Sequence, residues 1–273
     1  MKRGLFILLV GIVFTACEQV GSYLSNTENI AGLKEALVVG SGKAANLLGA
    51  EDGYLKDAAV KILLPEEAQV TFKAIQAISE IPGISSAIGA IGLKADFEDV
   101  LITAINRSAE DAAPRAVNIF ANAITSMTIT DGKAILFSGG DHTAATKYLH
   151  EKTYTDLQSA FGEVIDASLS KVEVAGYTAS EAWTFFAEQN NQLVGLINKP
   201  AVQLAITGAN LMGLDVSAIN SVKEVNPSLG GYTTGKALDG LFLKVGNEEE
   251  KIRTDINART TGLLQRVFGQ LDK

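Results

Sequence analysis

From residue 29 onward, apolar residues recur at three- and four-residue steps, the period of a helix with one buried face. Residues 29–48 put Ile30, Leu33, Leu37, Ala44, Leu47 and Leu48 on one stripe. Gly40 and Gly42 interrupt it, each weakening a helix by up to about 1 kcal/mol, so either backbones pack closely there or the helix bends. Residues 49–53 end it. Residues 60–64 (VKILL) are the best extended piece and stop at Pro65. Pro65-Glu66-Glu67 then opens a helix, with proline in the first turn and acids at its positive end. Phe72, Ile75 and Ile78 carry it to Ser79, and Ile81-Pro82-Gly83 breaks it.

The pattern is strongest over residues 96–127. Phe97, Val100, Leu101, Ala104, Ile105 and Ser108 form one face, and Val117, Phe120, Ala121 and Ile124 another. Pro114 lies between them, where its missing amide and its ring predict a break or sharp kink. Thr130 is placed to cap a short helix to Phe137, and Asp141 to cap the next, with Ala144, Ala145, Tyr148 and Leu149 along it. Leu157, Phe161, Val164, Ile165 and Leu169 continue at helical spacing. Residues 178–197 are helical behind Thr178 or Ser180, Pro200 starts a helix to about Leu214, and Gly230-Gly231 is a turn. Residues 236–253 and 261–271 complete the set. Long strands that could build a sheet are missing. The prediction is an all-α fold: a single multi-helix globular domain over residues 29–273.

The start of the chain is different. Lys2 and Arg3 precede an uncharged apolar run that ends at Thr15-Ala16-Cys17, the layout of a signal peptide. Residues 4–16 are only 13 long, against the about 20 apolar residues a membrane span needs. Small residues before a cysteine suit lipoprotein processing, with Phe14 an imperfect match where Leu is usual. Ordinary cleavage suits less, because Phe14 is bulky. Cys17 is the only cysteine. The expectation is a signal peptide over 1–16 and a mature chain anchored in the membrane by lipid, such as palmitate, on Cys17. Residues 18–28 are polar and serve as a tether, so 17–28 forms a lipidated link reaching at most about 36 Å. The protein is then a membrane-anchored lipoprotein of the bacterial cell envelope, facing the periplasm or the exterior. With one cysteine there is no disulfide, and packing alone holds the domain.

Composition narrows the partners. Losing Lys2 and Arg3 with the signal takes the net charge from −8 to −10. That disfavours nucleic acid and anionic lipid surfaces, which need a positive face. Hydrophobic residues at 47% supply ample core, and no repeat at a fixed period is present. Residues 84–93 (ISSAIGAIGL) are apolar and rich in small residues. They are too short to span a bilayer and suit a buried, closely packed segment better than one dipping into a membrane.

Several stretches together resemble the bacterial envelope proteins catalogued as domain of unknown function 4197. They are Gly32-Leu33-Lys34-Glu35-Ala36-Leu37, Asp52-Gly53-Tyr54-Leu55, Asn106-Arg107 with Glu110 and Pro114, and Thr128-Ile129-Thr130-Asp131. Gly139-Gly140-Asp141, Thr143-Ala144-Ala145-Thr146 and Tyr148 follow. The closing group is residues 236–242, Glu249-Glu250, Ile252-Arg253 and Val267-Phe268-Gly269. The resemblance covers about residues 31–161 and 232–269. Residues 162–231 match loosely, and Ile256 stands where a proline is expected. The resemblance implies an all-helical exported protein and no particular activity.

Candidate chemistry is sparse. Ser138-Gly139-Gly140-Asp141 enters a helix, where free amides attract anions. Asp141 occupies the place of the anion, however, and no P-loop lysine follows, so a capping aspartate explains it better. His142 and His150 are eight apart without metal-site spacing, so no metal and no cofactor is expected. No G-x-S-x-G nucleophile motif exists. The charged residues of the family-like stretches, Arg107, Asp131, Asp141, Asp239, Glu249 and Arg253, are the candidate ligand cleft if they converge. Otherwise they are helical ion pairs such as Arg107–Glu110 and Glu249–Arg253. Three functions fit: a helical module binding a protein partner or small ligand, a hydrolase using carboxylates in a helical cleft, and an apolar-ligand carrier built on residues 84–93 and 193–214.

Overall fold

A computed structural model describes residues 24–79, 97–174 and 176–272. The fold is all-α. Its only sheet among the described residues is a two-residue antiparallel pair, β1 (Glu173–Val174) with β2 (Tyr177–Thr178). Residues 1–23, with the expected signal peptide and Cys17, and the apolar stretch 84–93 lie outside the described residues. No described helix is long and apolar enough to cross a membrane.

Helix α1 (Asn26–Gly49) starts before the expected end of the tether. The reason is a capping box: the Ser25 hydroxyl accepts from the Glu28 amide while the Glu28 carboxylate accepts from Ser25. Gly40 does not break the helix, which runs on to Gly49. It is buried where α1 passes close to Glu248. Helix α2 (Glu66–Ser79) follows Pro65 as expected. Residues 61–65 are neither helical nor paired with a strand. Helices α3 (Phe97–Ala112) and α4 (Ala116–Ser126) are separated at Pro114 by a 3-10 turn, Ala113–Arg115.

Helix α5 (Ile129–Leu136) is capped by Thr128 rather than Thr130, because Asp131 three residues on completes a second capping box. Residues 144–169 form one continuous helix, α6 (Ala144–Leu169). Thr178 caps α7 (Ala179–Ile197) by a third capping box with Glu181. Helix α8 (Pro200–Leu211) and the short α9 (Ser217–Asn220) follow. Helix α10 (Leu229–Thr254) begins seven residues before the expected Lys236, since Gly230-Gly231 is its first turn and not a loop. The Ser228 hydroxyl accepts from the Gly231 amide. Gly230 lies directly under the exposed Asp166 carboxylate of α6, which would have to turn aside for a side chain there. Helix α11 (Gly262–Phe268) closes the chain behind Thr261.

Helices α6 and α10 form the centre, flanked by α1 and α3. The main core runs through Leu33, Leu48, Leu101, Ile105, Phe120, Leu149, Phe161, Leu238 and Phe268, all within 1% of full burial. Each such side chain contributes about 1.5–3 kcal/mol relative to exposure. Phe72, Phe97, Trp183 and Phe186 join α7 to this core as an aromatic cluster. A second, smaller core of Ala74, Ile197, Ile206, Val216, Ile219 and Val222 gathers under α8 and α9.

Candidate functional site

Two of the six candidate residues meet inside the bundle. Glu249 and Arg253 stand four apart on α10, both buried, with Arg253 Nε donating to Glu249 Oε1 at 2.8 Å. Their other bonds define their task. The Glu249 carboxylate accepts the amides of Ala145 (3.0 Å) and Thr146 (2.7 Å) and the Thr146 hydroxyl (2.8 Å). It therefore satisfies the free amides at the N-terminus of α6, the positive end of that helix. The Arg253 guanidinium donates to the carbonyls of Ile135 (3.0 Å) and Leu136 (3.4 Å), the negative end of α5. One ion pair thus closes two helix ends of opposite sign. A cavity beside it, floored by Leu33, Gly40 and Ser41, opens about 10 Å³ to a water-sized sphere. That is the room of about one water.

Arg107 anchors a second network. Its guanidinium donates to Glu110 Oε2 and to Asp52 Oδ1, both at 2.6 Å. The other Glu110 oxygen accepts the amides of Tyr54 and Leu55, each at 3.1 Å. Asn106, fully buried one residue before, accepts from the Ile62 amide (2.8 Å) and donates to the Ile62 carbonyl (2.7 Å). Asn106 thereby does for the Ile62 amide and carbonyl what a neighbouring strand would do. Tyr54 donates its hydroxyl to the Ala237 carbonyl at 2.7 Å. Burial and the nearby Glu110 push its ionisation far above the usual phenol range. Asp52, in left-handed backbone at φ 69°, is held below the ordinary carboxylate range by Lys56 and then Arg107. Gly53 sits against the carbonyls of Leu47 and Leu48 with no space for a side chain. Together these groups tie residues 51–64 onto α3 and α10 like a strap.

The remaining candidates serve single turns. Asp131 closes the Thr128 capping box, which keeps its carboxyl low. Asp141 accepts from the Thr143 amide (3.0 Å) and hydroxyl (3.1 Å) and from Lys147 Nζ (2.8 Å). Lys147, then the Thr143 amide, hold it at about 2. Asp239 is exposed, 3.5 Å from Lys236, at a shallow groove beside residues 59–63. Among the described residues, no hydrogen bond or ion pair joins Arg107, Asp131 or Asp239 to the Glu249–Arg253 pair. His142 and His150 are exposed, the His150 ring packing at a tilt against Tyr154 and Phe242, with centroids 4.8 and 4.7 Å away. No cluster of three metal-ligating side chains occurs among the described residues.

Sequence reasoning missed Arg259. It is buried, and it donates to the carbonyls of Ile252 (2.9 Å) and Arg253 (2.8 Å) at the C-terminus of α10. It also makes a bidentate pair with Asp272, at 2.5 and 2.7 Å, which raises the guanidinium and lowers the carboxyl. A basic residue just beyond a helix end was the available signal.

The arrangement defines a class: a helical bundle whose internal charges close helix ends and fasten a strap. The family model described as protein of unknown function (DUF4197) matches residues 23–269, and the chain belongs to that family. No curated protein and no solved structure matches it significantly.

Proposed function

We propose that the protein is an exported bacterial lipoprotein, held at the cell envelope by lipid on Cys17, whose helical domain binds a partner or small ligand. The anchor half rests on Lys2-Arg3, the short apolar run and Thr15-Ala16-Cys17. The binding half rests on one observation: Glu249, Arg253 and Glu110 are each bonded to helix ends or loop amides, and Arg107 is engaged by the Glu110 and Asp52 carboxylates. A carboxylate hydrolase needs two acids facing one substrate. Glu110 and Glu249 already accept two and three main-chain or hydroxyl donors, so neither has a free oxygen aimed at a cleft. What is left for recognition is the surface.

The test is mass spectrometry of the full-length chain purified from membranes in detergent, beside Cys17→Ser. The reading predicts an N-terminus at an acylated Cys17, lost in the variant, and a stoichiometric partner or ligand co-purifying with the folded domain. An unmodified Cys17 in the mature chain contradicts the anchor. Turnover of an envelope substrate abolished by Asp131 or Asp239 substitution without unfolding contradicts the binding role.

A further inference from the structure

Helix α8 carries an apolar face on each of two sides. Val202, Ile206 and Ala209 turn inward onto the second core. Ala201, Leu204, Ala205, Gly208, Leu211 and Met212 follow the helical repeat on the other side. Leu204, Leu211 and Met212 are 75, 86 and 83% exposed. Residues 200–214 contain no charge. Large apolar side chains this open, on consecutive turns of one helix, mark an interaction surface.

We propose that this stripe pairs with the same stripe of a second copy, the two α8 helices crossing antiparallel about a two-fold axis near Ile206–Thr207. Three features of the sequence fit that axis. Large residues fall opposite small ones: Met212 against Ala201, and Leu204 against Gly208. At the centre Ala205 meets Gly208, so the backbones can approach closely. The charges that bound the stripe, Lys199 before it and Asp215 after it, come together across the axis with opposite sign. Lys199 is the N-cap residue of α8, a poor place for a cation on its own helix. In the pair it stands beside the other copy's carbonyl end. Equal patches on both copies make the contact isologous and closed.

A bilayer is the weaker occupant. The start of α1 lies beside α11, through Asn29–Gln270 and Glu28–Arg266. Arg259, just before α11, caps the C-terminus of α10. The α7–α9 limb joins at the opposite end, through Trp183–Asn226 and Asn191–Val225. The 26 residues of α10 separate the two ends by about 39 Å. This preference rests on the lipid-anchor reading, whereas the pairing does not. One helix pair buries less than the about 1,200 Å² of a standard interface, so the dimer forms best where copies share a surface.

Cross-linking in intact cells tests it, using the full-length chain with single cysteines and a short bis-maleimide. Two copies of residue 205 lie about 4.5 Å apart along the axis and two of residue 201 about 16 Å. Ala205→Cys should give a band at twice the chain mass and Ala201→Cys should not. Adding Leu204→Glu to Ala205→Cys should lower the yield by about tenfold or more, since it sets like charges against each other. The proposal is overturned by equal yields at 201 and 205, by a monomeric Ala205→Cys chain, or by a product heavier by some other protein. Protection of the thiol introduced at position 205 from reagent, without cross-linking, also overturns it, in favour of lipid. A dimer from the unsubstituted chain shows Cys17 to be free and refutes the anchor alone. The 201 and 205 yields are then compared in Cys17→Ser.

Discussion

The bundle and the α7–α9 limb treat polar and apolar residues in opposite ways. In the bundle, charged groups are inside: Glu249, Arg253, Glu110 and Arg259 are buried and bonded to main chain. In the limb, apolar groups are outside: Leu204, Leu211 and Met212 face solvent while Ile206 alone of α8 is buried. A buried charge is tolerable only when its bonds are made, so the bundle's charges mark rigid architecture. Among the described residues the exposed apolar stripe has no such partner, which is what the proposed pairing uses. The contrast places the buried charges in the architecture of the bundle, while the recognition surface proposed above lies on the limb.

The sharpest way to break that contrast is to open the buried pair. Arg253→Ala leaves Glu249 without its counter-charge and strips the bonds from Ile135 and Leu136. The expected loss is about 3–5 kcal/mol, read from urea unfolding. Asn106→Ala comes next. It removes the partners of the Ile62 amide and carbonyl, each worth about 1–3 kcal/mol when left buried and unpaired. Loosening of the strap should appear as faster amide exchange over residues 54–64 with α6 still protected. Acid provides a smaller, graded effect. Asp52, Asp131, Asp141 and Asp272 have folded-state ionisations below their ordinary values. Their stabilisation is complete above the unfolded carboxylate range near 4 and is lost as pH falls through the folded values, down to about 2 for Asp141. Unfolding midpoints should hold from neutral pH to about 5 and fall below it. Asp141→Asn should remove only the last part of that fall. Leu211→Ser in the limb should change stability least, by at most about 0.5 kcal/mol, while reducing the α8 cross-link.

Much of the fold was legible because helices write their buried face into the sequence at a 3.6-residue period. The break at Pro114 and the starts at Pro65, Thr178 and Pro200 follow from local chemistry. Misplaced boundaries had tertiary causes. Gly230-Gly231 looks like a turn, but the Ser228 cap and the packing of the helix's first residues carry it through. Thr128 and Ser25 are caps because of acids three residues on, a signal present but overlooked. The i,i+4 pairing of Glu249 with Arg253 could be read, but its burial and its two helix ends could not. They come from elements more than 100 residues away, as the sequence separations of 103 and 118 show. Asn106 imitating a strand partner for residue 62 has no local signature at all.

The central claim is that Glu249 and Arg253 act as one structural unit. A double-mutant cycle in urea unfolding tests it most directly, with Glu249→Gln, Arg253→Met and both together. The account predicts that each single change destabilises strongly and that the double falls short of their sum by about 0.5–3 kcal/mol. Single variants as stable as the parent chain, or more stable, would mark charges held at a cost for binding and would contradict it.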